Sequence, residues 1–245
     1  MIYQTFAQLY DQLFDPEMYE QWLDYTMREG VTRQNMSCLE LAGGTGRLAV
    51  QLARNGLDMT VADISDEMLS LAMQHAENAG VNFQLVQADM RNLENFPQYQ
   101  LVTCYADSLN YLESIEDVEA TFKEVYAHLD VGGKFLFDMI SPYKTDIEYP
   151  GFMYNYENDN EAFLWQSYAN DEKEHGVIHE LTFFICQNNG NYQRVGETHY
   201  EQAYPLEKIK DTLKKVGFSS IEVTSDFGKQ QATQNDSRWF FKCEK

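Results

Sequence analysis

The chain has 245 residues, which suits one large domain or two small ones. It carries 18 Lys and Arg against 39 Asp and Glu, and the resulting formal net charge of −21 disfavours nucleic acid and anionic membranes, which bind through clustered cations. The sequence contains no apolar run of about 18 residues, no signal peptide and no C-x-x-C pair, so we expect a cytoplasmic protein without a membrane span, a disulfide framework or a metal site.

As far as about residue 141 the sequence alternates between helix and strand patterns. Residues 1–36 are predicted to form a helical N-terminal segment, because Tyr19, Trp22 and Met27 recur at helical spacing. Short apolar runs predict buried strands at 37–43, 57–64, 81–89, 99–107 and 134–141. Amphipathic segments between them predict helices at 46–56, 66–80 and 115–133, the last ending at two glycines. Strands separated by helices imply a parallel sheet with helices on both faces.

The pattern changes after Pro142. Three long strand-like segments, at 163–170, 177–187 and 192–204, predict an antiparallel β lobe at 143–204, inserted into the α/β unit. A helix between Pro205 and Gly217 and two closing antiparallel strands then complete the chain. We therefore expect one α/β domain, formed by residues 37–142 and 205–245, that carries the lobe as an insertion.

A glycine-rich loop, LELAGGTGRLA, separates the first strand of that domain from its first helix. Gly43, Gly44 and Gly46 would let a ligand approach the backbone and the free N–H groups of the helix start. Two cofactors compete for this loop. The string GTGRLA formally matches the dinucleotide fingerprint of NAD enzymes. The acidic Glu40 in front of the glycines would repel a pyrophosphate but attract the sulfonium and ammonium of S-adenosylmethionine.

Two further acids end the next two strands. Asp63 could accept hydrogen bonds from both hydroxyls of a ribose. Asp89 could accept from an adenine amino group while Met90 covers the ring. Because the carboxyl ends of parallel strands line one crevice, Glu40, Asp63 and Asp89 are expected to face the same ligand.

With these motifs the chain resembles the class I S-adenosylmethionine-dependent methyltransferases over nearly its whole length. ELAGGTGRLA, VADISDEML, QADMRNL and LVTCYADSLNYL are similar to the family's successive strand-end motifs, and YDQLF, SLNYL and RWFF resemble a bacterial subgroup labelled YqeM-like. Ala42 departs from the usual glycine. The resemblance implies a Rossmann-like, mostly parallel sheet with an antiparallel last strand and S-adenosylmethionine as cofactor. The residues it implies at the cofactor are Tyr10, Glu40, Ala42, Gly43, Gly44, Gly46, Asp63, Ile64, Met68, Asp89, Met90 and Tyr105.

The acceptor of the methyl group is less defined by the sequence. The loop after the fourth strand lacks the D/N-P-P-Y string typical of nucleic-acid amino methyltransferases, which favours a small-molecule acceptor. The lobe is the predicted acceptor pocket, with His179, His199 and Asp107 as candidate general bases. Tyr105, Trp165 and Arg194 are candidate acceptor-binding residues.

Other functions stay open at this point. The acceptor could be a protein, or a tRNA or rRNA. The chain could bind the cofactor without catalysis and regulate a partner, or it could be an NAD-dependent oxidoreductase that uses the GTGRLA string. An exposed aromatic lobe could also be the interface of a homodimer.

Overall fold

The computed structural model describes Asp11, residues 16–187 and residues 189–245. These residues form a large, mostly parallel sheet with helices on both of its faces, and a separate antiparallel sheet. The described helices are α1 (Pro16–Glu29), α2 (Arg47–Arg54), α3 (Asp66–Ala79), α4 (Ile115–His128) and α5 (Leu206–Val216), with a 3-10 turn at Ser108–Tyr111 and a π-helical turn at Lys144–Glu148.

The strands divide between the two sheets. Those of the large sheet are β1 (Ser37–Leu41), β2 (Asp58–Asp63), β3 (Gln84–Gln87), β4 (Tyr99–Cys104), β5 (Leu129–Ile140), β10 (Ser220–Ser225), β11 (Gln230–Gln231) and β12 (Arg238–Glu244). Those of the lobe are β6 (Met153–Glu157), β7 (Glu161–Ala169), β8 (Gly176–Cys186) and β9 (Tyr192–Gln202).

The large sheet confirms the predicted fold class. Its strand order is β11-β10-β12-β5-β4-β1-β2-β3. The strands from β5 to β3 run parallel to their neighbours, while β12 is antiparallel to both β5 and β10. β1 therefore lies between β4 and β2, and the loops that follow these three strands meet at one edge of the sheet.

Successive residues of the central strands bury opposite faces of the sheet. Val102 and Cys104 of β4 pack in a cluster with α4 and α5, whereas Leu101 packs with α1, α2 and α3. Trp22 and Tyr25 anchor α1 in the second cluster, at 2% and 1% exposure. The helical spacing seen in the sequence thus marks the face with which α1 covers the sheet.

The predicted helix at 115–133 is wrong at its end. α4 stops at His128, and Gly132 and Gly133 lie within β5. Leu129 already pairs with Tyr99, and the next register pair, Leu101 with Lys134, leaves a bulge in β5 between them. Gly132 has a φ of 76° in that bulge. The two glycines permit a β-bulge rather than ending a helix.

The lobe has one strand more than predicted, because β6 pairs with β7 at its edge. Its order is β6-β7-β8-β9, antiparallel throughout. Buried Asn110 attaches the lobe to the large sheet, since its amide group donates to the carbonyl of Gln202 and exchanges hydrogen bonds with the backbone of Ile140. Among the described helices, none has the length and apolar character needed to cross a bilayer.

Candidate functional site

The glycine loop turns sharply because three of its residues take left-handed backbone conformations. Ala42, Gly44 and Gly46 have φ values of 49°, 54° and 70°. A Cβ at Gly46 would lie 2.8 Å from the Cβ of Ala72, so this glycine lets α3 pack against the loop. A Cβ at Gly44 would meet none of the described residues within 4 Å. Gly44 thus borders open space, which is what the approach of a ligand to the backbone requires.

The loop also has a partner that the sequence analysis missed. The carboxylate of Asp11 accepts hydrogen bonds from Thr45 Oγ1 at 2.5 Å and from Arg47 Nε and an Arg47 terminal nitrogen at 2.5 and 2.6 Å. This bidentate pair fixes Asp11 against the start of α2. Tyr10, which was predicted to close over the cofactor, lies outside the described residues.

Glu40 is buried behind the loop, at 5% exposure. Burial, followed by the nearby charge of Asp63, raises the pKa of Glu40 to about 8, although the backbone N–H of Ala49 in the first turn of α2 opposes the shift. Its Oε2 has no hydrogen-bond partner among the described residues. A cationic ligand beside this carboxyl would relieve the repulsion from Asp63, whereas a pyrophosphate would increase it.

Asp63 is held in one orientation by the backbone around it. Its Oδ2 accepts the N–H of Gly44 at 2.8 Å, and its Oδ1 accepts the N–H of Ser65 at 2.9 Å. Burial nevertheless raises the pKa of Asp63. The backbone N–H of Ile64 adds a third hydrogen bond to this carboxylate, which still has acceptor capacity for a ribose hydroxyl.

The residues predicted at the adenosine surround Asp63. Ile64 follows it with a side chain that is 68% exposed, and Met68 lies half-buried in the first turn of α3. Asp89 and half-buried Met90 follow β3, where Arg91 forms an ion pair with Asp89 at 2.6 Å. These neighbours leave Asp89 with fewer free lone pairs than Asp63.

Tyr105 follows β4, but the structure does not favour the predicted contact of its ring with a cofactor or an acceptor. The side chain is 5% exposed and stacks on Trp22, with ring centroids 6.1 Å apart. Its hydroxyl is hydrogen-bonded to Thr26 in α1 at 2.8 Å. The ring therefore packs between the sheet and α1, and an enclosed ring offers no open face to a sulfonium ion.

In the lobe, two of the predicted bases meet on one face of the sheet. His179 and His199 are directly opposite each other on β8 and β9, and Glu201 follows two residues later on the same face. His179 and Glu201 are 3% and 6% exposed, and their Nε2 and Oε2 atoms are 3.6 Å apart. Neither atom hydrogen-bonds to a described residue. Burial, and then the charge of His179, lowers the pKa of His199.

The hydrogen bonds of His179 define its tautomer. Its Nδ1 accepts the indole N–H of Trp165 at 3.1 Å and lies 2.7 Å from the hydroxyl of Ser167. Because an indole nitrogen can only donate, Nδ1 carries no proton and the neutral ring carries it on Nε2. A neutral His179 then has no free lone pair at Nε2 to accept a proton, so this geometry does not favour the predicted role of His179 as general base. Trp165, predicted to bind the acceptor, holds the imidazole in place.

Asp107 lies beside this group but belongs to a second one. Arg238 bridges Asp107 at 2.7 Å and buried Asp138 at 2.9 Å. Asp138 also accepts the indole N–H of Trp22 and the backbone N–H of Asp107. The charge of Asp107 contributes to the raised pKa of Glu201, so the two groups are neighbours. Asp107 therefore already has a charged hydrogen-bond partner.

Arg194 lies on the other face of the lobe, which does not favour its predicted contact with an acceptor beside His179. It pairs with Phe184, in the alternation opposite to that of His179 and Glu201. Its side chain is exposed and donates to Thr182 at 3.3 Å. His175 likewise stands apart, 2.7 Å from Asp146.

The two neighbouring groups are together called the second cluster, which contains His179, His199, Glu201, Asp107, Asp138 and Arg238. Sequence reasoning found part of this second cluster. Glu201 comes two residues after His199, so the two side chains share one face of a strand. The register between β8 and β9 was needed to place Glu201 next to His179. Asp138 and Arg238 carry no motif of their own. The described residues contain no group of three or more His, Cys, Asp or Glu that could hold a metal ion.

Comparisons with known proteins show the family to which the chain belongs. A family described as a methyltransferase domain matches residues 38–133. The chain is 36% identical over 246 residues to the "Putative methyltransferase YqeM" of Bacillus subtilis (strain 168), covering 100% of this chain and 98% of the relative. It is 27% identical over 219 residues to the glycine/sarcosine N-methyltransferase of Halorhodospira halochloris, covering 87% of this chain and 76% of the relative.

A solved structure extends the likeness to both sheets. The crystal structure of an S-adenosylmethionine-dependent methyltransferase from Clostridium acetobutylicum ATCC 824 is similar with a TM-score of 0.84 and 29% sequence identity, covering 99% of this chain and 98% of that one. The inserted lobe is therefore part of the shared architecture.

Proposed function

This chain belongs to the class I S-adenosylmethionine-dependent methyltransferases, and from that membership we propose that it transfers a methyl group to a small-molecule acceptor held between the sheet edge and the lobe. Its cofactor is S-adenosylmethionine. When bound, this cofactor supplies a methyl carbon that its sulfonium activates, so the protein's main task is to align an acceptor and exclude water.

The observation that carries the site assignment is the pair of acids around Gly44. Asp63 is oriented by two backbone N–H groups and could hold the ribose, while Glu40 supplies an unpartnered, buried carboxyl oxygen to a cationic end. Ile64, Met68 and Met90 offer apolar surface for the adenosine. Gly44 leaves room for close approach. This set suits a cation and lacks the basic side chain expected for a phosphate.

A small acceptor is supported by the enclosed character of the second cluster. Glu201, His179 and Tyr149 are all less than 10% exposed, which suits a compact ligand better than a polymer. The net charge of −21 opposes tRNA or rRNA. The relative from Halorhodospira halochloris is named for glycine and sarcosine, which are small molecules.

The chain division is part of the same proposal. Residues 37–142 and 205–245 would bind the cofactor, and the lobe at 143–204 would close the acceptor pocket above the carboxyl ends of β4 and β5. The outer face of the lobe, where Leu164, Tyr168, Tyr192 and Tyr200 are between 40% and 59% exposed, is the surface through which a homodimer would form.

The first experiment is parallel calorimetric titration with S-adenosylmethionine, S-adenosylhomocysteine and NADH. We expect micromolar binding of the first two and none of the third. Binding of NADH alone would contradict the assignment of the glycine loop. Protein loaded with a methyl-tritiated cofactor is then incubated with a cell extract separated into small-molecule, protein and RNA fractions. Label in the small molecules supports the proposal, label in protein or RNA replaces the acceptor class, and binding without transfer indicates a regulatory module.

A further inference from the structure

The second cluster has more carboxyl groups than cations. Arg238 is shared by Asp107 and Asp138, and Glu201 adds a third carboxyl next to Asp107. His199 does not offset this excess, because burial lowers its pKa and keeps it neutral at neutral pH. A site with surplus negative charge and little water attracts a cation.

Aromatic rings enclose the same cluster. Tyr149 packs edge-on against His179 with ring centroids 4.6 Å apart, and Trp165 does so at 5.5 Å. Tyr111 packs in the same way against His199 at 5.8 Å. These rings pack on the two histidines that neighbour Glu201, and the faces of aromatic rings attract an ammonium ion.

Glu201 is the carboxyl of this cluster that has no guanidinium partner among the described residues, and Tyr111 contributes a hydrogen bond to it. Its side chain is 4% exposed, and Oε2 faces Nε2 of His179 at 3.6 Å, longer than a hydrogen bond. That oxygen is unpartnered among the described residues. Asp107 and Asp138 each have a guanidinium partner, so Glu201 is the carboxyl available to a ligand.

We propose that Glu201 binds the acceptor as an ammonium ion and takes one of its protons, so that the substrate class is an amine. This inference rests on the proposed function. One N–H bond of the ammonium breaks, its proton moves to Oε2 of Glu201, and its electron pair becomes a lone pair on nitrogen. The lone pair forms the new N–C bond while the C–S bond breaks, with its electrons returning to sulfur. The product leaves as a methylated ammonium, and the proton on Glu201 returns to solvent.

The charge state of Glu201 gives this inference a pH signature. Burial, and to a smaller extent the negative charge of Asp107, raises the pKa of Glu201. His179 and Tyr111 oppose this shift. Burial, and then the charges of Asp107 and Glu201, raise the pKa of Tyr149, and Lys144 Nζ lies 4.7 Å over the Tyr149 ring. An ammonium ion must displace the proton from Glu201 below its pKa, so ammonium affinity rises with pH and binding releases a proton.

The test measures binding of methylammonium chloride to the protein saturated with S-adenosylhomocysteine, by calorimetry between pH 5.5 and 8.5. Two buffers of different ionisation enthalpy report the protons released. We expect up to one proton released at low pH and an affinity that rises up to about tenfold per pH unit before levelling off. Sodium chloride at equal concentration controls for ionic strength.

Glu201→Gln and Glu180→Gln are the matched variants. Glu180 is exposed on the opposite face of β8, one residue after His179, so its replacement should change nothing. Glu201→Gln should weaken methylammonium binding at least tenfold with S-adenosylhomocysteine affinity unchanged. Equal binding in Glu201→Gln, absence of proton release in the unaltered protein, or no ammonium binding despite normal S-adenosylhomocysteine binding would each overturn the inference. Failure to bind S-adenosylhomocysteine would instead contradict the proposed function.

Discussion

Asp63 has a structural role that is compatible with its proposed contact to a ribose. Both of its oxygens accept backbone N–H groups, which fix the glycine loop relative to β2. The remaining lone pairs are therefore oriented before a ligand arrives. Such preorganisation lowers the entropy that binding costs.

Replacement of Asp63 should therefore weaken cofactor binding without unfolding the chain. We expect Asp63→Asn to lower S-adenosylmethionine affinity about 10- to 100-fold, the effect of losing one or two hydrogen bonds to a charged acceptor. Asp58→Asn, at the exposed opposite end of the same strand, is the matched control. Calorimetric titration checks both, and equal affinities would reject the ribose contact.

The pKa of Glu40, raised to about 8 by burial and Asp63, predicts an effect of pH on binding. Binding of a cation requires the ionised carboxylate, so S-adenosylmethionine affinity should rise from pH 6 to pH 8 and then level off. In Glu40→Gln the affinity should be lower and independent of pH over this range. Titrations at several pH values would contradict this role of Glu40 if both proteins gave parallel curves.

The same residue predicts an opposite effect on stability. An acid whose folded pKa lies above its unfolded value loses stability as pH rises between the two, here from about 4.5 to about 8. Glu40→Gln removes that cost, which is on the order of a few kcal/mol at pH 9. At pH 9 the ligand-free variant should melt several degrees higher than the unaltered protein. At pH 4 the two proteins should have similar melting temperatures. A lower melting temperature at pH 9 would contradict the burial of an uncompensated charge.

At the scale of elements, the turn between β1 and α2 depends on glycines for two different reasons. Gly46 gives α3 room to pack, whereas Gly44 borders open space. A substitution at Gly44 therefore separates backbone strain from ligand contact. Gly80, which caps α3, has a φ of 66° and equally open surroundings, so it carries the strain alone.

Gly44→Ala and Gly80→Ala should each cost about 1 kcal/mol of folding stability, because both place a Cβ in the left-handed region. Only Gly44→Ala should also weaken S-adenosylmethionine binding, since its methyl group would occupy the space next to Asp63. Thermal unfolding and titration of the two variants separate these effects. Equal affinity in both would mean that the ligand does not approach Gly44.

Element type was predictable where the pattern was long and local. The helix cap at Ser65, whose hydroxyl accepts the N–H of Met68 at 3.2 Å, and the helix between Pro205 and Gly217 follow from side-chain chemistry near the chain itself. The end of α4 and the existence of β6 could not be predicted in this way, because each depends on pairing with another strand. Leu129 belongs to β5 because it pairs with Tyr99, and Tyr154 belongs to β6 because it pairs with Trp165.

At the scale of the whole molecule, the outer face of the lobe carries three exposed aromatic side chains, those of Tyr168, Tyr192 and Tyr200. If it forms a homodimer, sedimentation should give a dimer that Tyr200→Glu dissociates, because burying an unpaired charge at an interface is costly. Val131→Glu, at a residue 94% exposed on β5, should leave the dimer intact. A monomer at all concentrations would reject the interface.

The sequence alone favoured S-adenosylmethionine as the cofactor and predicted the order of the elements apart from β6. Glycines, strand-end acids and helix caps act on their immediate neighbours, so Gly44, Glu40 and Asp63 could be assigned to one crevice before any coordinates. The acceptor side depended on tertiary structure. Glu201 meets His179 through the β8–β9 register, Arg238 meets Asp107 and Asp138 across strands far apart in the chain, and Arg194 is on the outer face because strand side chains alternate. Long-range strand pairing decides which side chains come together in a cluster, and no local sequence pattern encodes that pairing.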